Sequence, residues 1–319
     1  MSMDIWLSNM EKQEWEWQKF RESQSQLGGC ESTSEFEHIR NWNELAHWTY
    51  IFNQLKSKRQ DVCDYPLDSI TLRTEKHNGI EFLVVHNPNR KGRPNAVVEL
   101  GGHKAAECNL CGELNRGYNS KDNMLFNGEE FSDYLVCPNL WPIYRGHVVI
   151  INKNPKKDKI HPWDLEEMMR LYREHGYLVW HNKEGSALTI PHEHFQGILL
   201  RLFINYLSLK QMDSKSSTIE NYPGVNFVFT GQDANKHASD AISRLDENKI
   251  YNEIICTDKI YVVPVKKYQG KGGYGGFEFA LGYVELGDNE KVTGELIFNG
   301  LKNALFQHKE FDYRWAFGK

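Results

Sequence analysis

Cysteine, surplus positive charge and long apolar runs are all scarce in this sequence, and each shortage excludes something. There are six cysteines in 319 residues (Cys30, Cys63, Cys108, Cys111, Cys137 and Cys256). That is too few for a small secreted scaffold held by disulfides, so a reducing cytoplasmic location is the expectation. The formal net charge is -5. A dedicated nucleic-acid binder usually presents a basic face, so no nucleic-acid partner is expected. No apolar stretch approaches the roughly 20 residues needed to span a bilayer. The start, Met1-Ser2-Met3-Asp4, has no basic region followed by an apolar one, so neither a secretory leader nor a membrane partner is expected. Low-complexity runs and short-period repeats are also lacking.

What is present suits one large domain or two fused ones. Hydrophobic residues make up 40% and charged residues 25%, enough for a core. Residues 5–25, with Trp15, Trp17 and Phe20, read as a helix, followed by a Ser/Gln/Gly-rich loop over 23–34. A second helix is expected over 43–57. Short strands are expected at Ile70–Leu72, Phe82–Val85 and Val97–Leu100. Further along, Tyr134–Cys137 reads as a strand, Asn139–Pro142 as a turn, and His147–Ile151 as a buried strand. Pro162 suits the first position of a helix, with Asp164 and Glu166 adding negative charge near its start. Leu165, Met168, Met169 and Tyr172 then line one apolar face. Tyr177–Trp180 and Phe195–Leu200 are two more strands. Residues 205–250 are polar and mixed and read as a connection between halves. Ile254–Cys256 and Ile260–Val265 read as a hairpin, and 289–307 as a closing helix. Lys266, Lys267 and the Gly-rich run 270–276 match neither a P-loop nor a dinucleotide fingerprint, and read as a surface loop.

The segment His192-Glu193-His194-Phe195-Gln196 carries the chemistry. Alternate residues of a strand share a face, so His192, His194 and Gln196 point one way and Glu193 and Phe195 the other. Two imidazoles and an amide on one face of an apolar strand are costly unless they are used. Upstream, Cys108 and Cys111 form a Cys-x2-Cys turn. With His161 and His192 they offer the four soft or borderline ligands of a tetrahedral zinc site. By spacing alone His147 and His103 compete for the histidine positions.

These residues resemble the transferase branches of the histidine-triad (HIT) superfamily. His192 to Gln196 is similar to the His-x-His-x-Gln motif of galactose-1-phosphate uridylyltransferase, diadenosine tetraphosphate phosphorylase and the GDP-hexose phosphorylases. The longer string from Ala187 to Gln196 resembles the last of these most. Asn139-x-x-Pro142 followed by Gly146–Ile150 resembles the family's central strand pair. The resemblance covers about residues 105–202. One departure is Glu193, where the uridylyltransferase has proline between its motif histidines.

The resemblance implies an α+β fold: a HIT-like, mostly antiparallel sheet with flanking helices, built as a fused pair of HIT-like halves. The expected division is an N-terminal helical and strand segment over 1–89, a HIT-like catalytic half with a zinc clip over 90–204, and a degenerate second half over 205–319. His194 is the implied nucleophile, forming a covalent nucleotidyl-histidine. Gln196 would donate to a non-bridging phosphate oxygen. Asn139, Asn182, Gly185, Ser186 and Thr189 are the implied nucleotide and phosphate contacts. Cys108, Cys111, His161 and His192 would hold a structural zinc, with no organic cofactor. The substrates implied are a nucleotide, an NDP-sugar or a dinucleoside polyphosphate, with a phosphate-type acceptor. Hydrolysis by the same fold and non-catalytic nucleotide binding are the alternatives, and a homodimer is left open.

Overall fold

The structure, a computed structural model, describes residues 39–58, 69–88, 90, 133–154, 160–182, 194–266, 274–286 and 292–318. The helix expected over 5–25 and the strand at 97–100 lie outside them. No described helix is long and apolar enough to cross a membrane.

Helix α1 spans Trp42–Lys58 and leads into the antiparallel hairpin β1 (Thr71–His77) and β2 (Ile80–His86). Strands β3 (Tyr134–Pro138) and β4 (Val148–Asn152) follow, then helix α2 (Pro162–Arg170) with Pro162 in its first turn. A π-turn over Leu171–His175 ends at Gly176, in the left-handed region. Strands β5 (Leu178–His181) and β6 (His194–Ile198) complete this half. The connection expected over 205–250 is instead structured. It holds β7 (Leu209–Gln211), β8 (Ser217–Ile219), β9 (Phe227–Phe229) and helix α3 (Ala234–Glu247). The predicted hairpin is β10 (Tyr251–Cys256) and β11 (Ile260–Val265). A one-turn helix α4 (Gly276–Phe279), strand β12 (Gly282–Glu285), helix α5 (Gly294–Ala304) and a short α6 (Arg314–Phe317) end the chain.

Nine strands form one sheet in the order β3-β4-β6-β5-β10-β11-β9-β8-β7, and every pairing in it is antiparallel. The order contains an internal repeat. Two strands, a helix and two strands give β3-β4-β6-β5 on one side, with α2. The same succession gives β8-β9-β11-β10 on the other, with α3. The halves meet where β5 pairs β10, Trp180 opposite Ile255. The architecture is the α+β fold of two fused halves expected from the sequence.

Alternation along the strands divides the sheet into two faces. One carries Tyr134, Ile150, Phe195, His181, Ile254 and Val262, and is covered by α2 and α3, which also pack on each other. Buried Asp164 of α2 is the polar link on this side. Its carboxylate accepts from the Tyr134 hydroxyl and from the His161 N–H, both at 2.7 Å. The other face carries Ile151, Val149, His194, Gln196 and Trp180. Here α4 packs on β5 and β10.

A second sheet, β1-β2-β12, adds β12 parallel to β2. Arg73 of β1 grips Glu285 of β12 with both terminal nitrogens, at 2.7 and 3.1 Å, and His86 of β2 lies 3.1 Å from the same carboxylate. This fork closes the small sheet.

Candidate active site

The site is built on the first residues of β6. His194 opens the strand opposite Ile151 of β4, and Gln196 lies between Val149 of β4 and Trp180 of β5. His194 and Gln196 therefore share a face, and Phe195 points the other way into the core beneath α2. His194 is 5% exposed and Gln196 is half-buried. This places the candidate nucleophile, largely buried, at the first position of β6, a strand paired on both sides.

The neighbouring strands add groups that the motif does not name. Trp180 is fully buried, and the imidazole of His147, one residue ahead of β4, stacks against it with ring centroids 5.6 Å apart. His147 Nε2 lies 3.0 Å from Gln196 Oε1, and its Nδ1 accepts from the Ile143 N–H at 2.9 Å. By parity His147 belongs to the same face as Val149 and Gln196. The sequence offers His147 only as a rival metal ligand, whereas the fold puts it against Gln196. Strand alternation back from Val149 is the signal that finds it.

The loop between β3 and β4 is clamped by elements from the N-terminal part of the chain. Trp48 of α1 donates its indole N–H to the His147 carbonyl at 2.9 Å. Asn87 donates its side-chain amide to the carbonyls of Pro142 (3.3 Å) and Ile143 (2.9 Å), and Arg90 donates to that of Trp141. Gly146 turns the loop at φ 75°, and a Cβ there would lie 2.8 Å from the Leu199 side chain, so both conformation and space demand glycine.

Asn139 and Asn182 sit beside the site with part of their side chains committed. Asn139 Oδ1 accepts from the Trp141 N–H at 2.9 Å, which is turn chemistry. Its amide nitrogen lies 3.5 Å from His147 Nε2. Asn182 Oδ1 accepts from the Gly276 N–H at 2.9 Å, and so ties the end of β5 to the first residue of α4. Gly276 has no room for a Cβ, which would meet the Trp180 side chain at 2.3 Å. Glycine is what lets α4 lie flat on the indole.

Glu278 completes the first turn of α4 by accepting from the Gly275 N–H at 2.8 Å. Burial pushes its carboxyl up to about 7, against smaller opposite pulls from backbone N–H groups and the Arg90 charge. A carboxyl whose folded value lies above its unfolded one holds its proton more tightly in the folded state. Its contribution to stability is therefore complete below about pH 4.5 and falls as pH rises to about 7. Glu278→Gln should flatten that fall in urea-unfolding midpoints taken between pH 5 and 8. An unchanged slope would show that the carboxyl is ionised throughout.

His161, ahead of α2, is half-buried and stacks on Trp163 with centroids 4.1 Å apart. Through Asp164 and Tyr134 it is tied to the sheet end where β6 begins, because Tyr134 pairs Asn152 and Ile151 pairs His194. Cys108, Cys111, His192, Gly185, Ser186 and Thr189 lie outside the described residues. Among the described residues no group of three or more metal-ligating side chains occurs.

Comparison with known proteins agrees with this architecture. Residues 51–199 match the family described as "Domain of unknown function (DUF4922)". A search of the curated proteins finds no match. Among solved structures the chain is similar to the yeast Ap4A phosphorylase Apa2. Against its complex with Ap4A the TM-score is 0.56 at 13% identity, over 84% of this chain and 99% of that one. Against its complex with AMP the TM-score is 0.59 at 14% identity, over 83% and 97%. This chain shares the HIT-like α+β fold of the yeast enzyme across nearly the whole length of that enzyme.

Proposed function

We propose that the chain is a nucleotidyltransferase of the phosphorylase type, acting on a dinucleoside polyphosphate or an NDP-sugar through a nucleotidyl-histidine at His194. The observation that carries this reading is the pairing of an imidazole and an amide, His194 and Gln196, on one face of β6 and beside Trp180. The likeness to a phosphorylase crystallised with Ap4A and with AMP supports it.

A neutral imidazole is a competent nucleophile towards phosphorus, and a covalent intermediate divides one transfer into two easier steps. His194 Nε2 forms a bond to the α-phosphorus while the bond from that phosphorus to the bridging oxygen breaks. The leaving phosphate departs with the electron pair. An oxygen of the acceptor phosphate then attacks the same phosphorus and releases the imidazole. Gln196 donates to a non-bridging oxygen as charge gathers there. An amide cannot protonate a leaving group, which favours a leaving group that needs no proton, such as a nucleoside or sugar phosphate.

The test is incubation with GDP-glucose, ADP-glucose and diadenosine tetraphosphate, each with and without inorganic phosphate, followed by intact mass. An adduct of one nucleoside monophosphate and phosphate-dependent turnover are expected. Turnover in water alone would make the chain a hydrolase, and neither adduct nor turnover across the panel would sink the catalytic reading.

Cys108, Cys111, His161 and His192 have the donor chemistry of a closed zinc site. Zinc held there would brace the start of β6 and contribute no reacting ligand, since all four positions would be taken. Metal analysis of the purified chain is expected to give about one zinc per chain, lost on replacing both cysteines by serine. Protein that folds and turns over without zinc would remove this part of the reading.

A further inference from the structure

The amide of Gln196 has two ends of nearly equal shape and opposite chemistry. One orientation presents N–H donors to a phosphate, and the other presents an oxygen that repels it. We infer that His147 is the positioning residue that selects between them. The inference rests on the proposed transfer reaction and assigns His147 a role in it.

The geometry allows a single consistent arrangement of protons. A neutral imidazole carries one N–H. Its Nδ1 faces the Ile143 backbone N–H at 2.9 Å, a donor that cannot be reversed, so Nδ1 must accept. The ring proton is then on Nε2. The partner of Nε2 at 3.0 Å must in turn be an acceptor, which is Gln196 Oε1. The second contact of Nε2, to the Asn139 amide nitrogen at 3.5 Å, sets two donors against each other. Asn139 cannot turn its oxygen inwards without losing the Trp141 N–H. That contact is therefore packing, and the shorter one is the hydrogen bond.

With its oxygen held by His147, Gln196 turns its NH₂ end away from the ring, available to the face it shares with His194. The order is thus relayed from one backbone N–H, through an imidazole, to a catalytic amide. Stacking on Trp180 fixes the ring plane, and the clamps on the Pro142, Ile143 and His147 carbonyls fix the loop. An amide free to turn would spend part of its time presenting oxygen to the phosphate, which forfeits the donor.

Two substitutions separate positioning from general support. His147→Asn keeps an acceptor for the Ile143 N–H but does not reach Gln196. His147→Gln supplies an N–H where Nε2 stood. Single-turnover adduct formation with diadenosine tetraphosphate should fall about 10²-fold in His147→Asn, the order expected when a transition-state donor is lost. Most of the rate should return in His147→Gln. In a Gln196→Ala background the His147→Asn loss should shrink to less than about threefold, because neighbours in one relay are not additive. Equal losses in both backgrounds overturn the inference. The ¹⁵N shifts of the His147 ring decide the same question in the unreacted protein. A protonated Nε2 with bare Nδ1 is expected, and a protonated Nδ1 refutes the relay even if no nucleotide is turned over. Failure of the wild-type chain to form an adduct sinks the proposed reaction, and the ring tautomer still decides whether the relay exists.

Discussion

His194→Ala should abolish both adduct and turnover, a loss of roughly 10⁴-fold or more, since removing the proposed nucleophile closes the whole proposed two-step route. The fold should survive. His194 begins its strand at the rim of the sheet, while Phe195, which points into the core against Tyr134 with centroids 5.9 Å apart, is untouched. The stoichiometry is equally specific. The counterpart of β6 in the second half is β11, Ile-Tyr-Val-Val-Pro-Val, which has neither imidazole nor amide. One adduct per chain is therefore expected. Two adducts, or one that persists in His194→Ala with an unchanged thermal midpoint, would place the nucleophile elsewhere, with His147 the first alternative.

Trp48→Ala should destabilise the protein by about 3–5 kcal/mol, the usual cost of deleting a fully buried large aromatic ring. Trp48 is wholly buried and stacks on Phe52 at 4.8 Å. Trp48→Phe separates its two jobs. It keeps an aromatic ring on Phe52 but gives up the N–H to the His147 carbonyl, a bond worth about 1 kcal/mol. If α1 clamps the loop that carries His147, Trp48→Phe should lower the rate of adduct formation by more than its small stability loss suggests. Unfolding midpoints in urea, with single-turnover rates on the same samples, check both statements. A Trp48→Ala midpoint within about 1 kcal/mol of wild type would show that α1 is only loosely attached.

Local pattern makes the first half of the sheet legible. β4 announces itself as Val-Val-Ile-Ile, α2 by Pro162 and its Leu165, Met168 and Met169 face, and β6 by the parity of His194 and Gln196. The region 205–250 was harder for physical reasons. β7, β8 and β9 have three residues each, too short for alternation to register. Helix α3 buries Ala234, Ala238, Ser239 and Ala241 beside Ile242 and Leu245, so small side chains blur its apolar face. The seam between the halves joins residues near 180 to residues near 255 and has no local signature. The site shows the same division. Residue type and spacing single out His194 and Gln196, but the contact of His147 with Gln196 spans 49 positions and emerges only when β4 and β6 pair. Asn139, one of the implied nucleotide contacts, also accepts the Trp141 N–H with its side-chain oxygen, a local turn bond that the motif spacing does not announce.

The seam has a consequence for assembly. A single half of this fold would end at β5 with a row of unpaired backbone N–H and C=O groups, an invitation to a strand from another chain. Here β10 already occupies that edge. The sheet's outer strands are β3, whose five residues are all buried, and β7, three residues long with Lys210 at its centre. The chain has in effect taken its own second half as its partner. Pairing the inner edge of the first half therefore needs no second copy, because the chain supplies that strand itself.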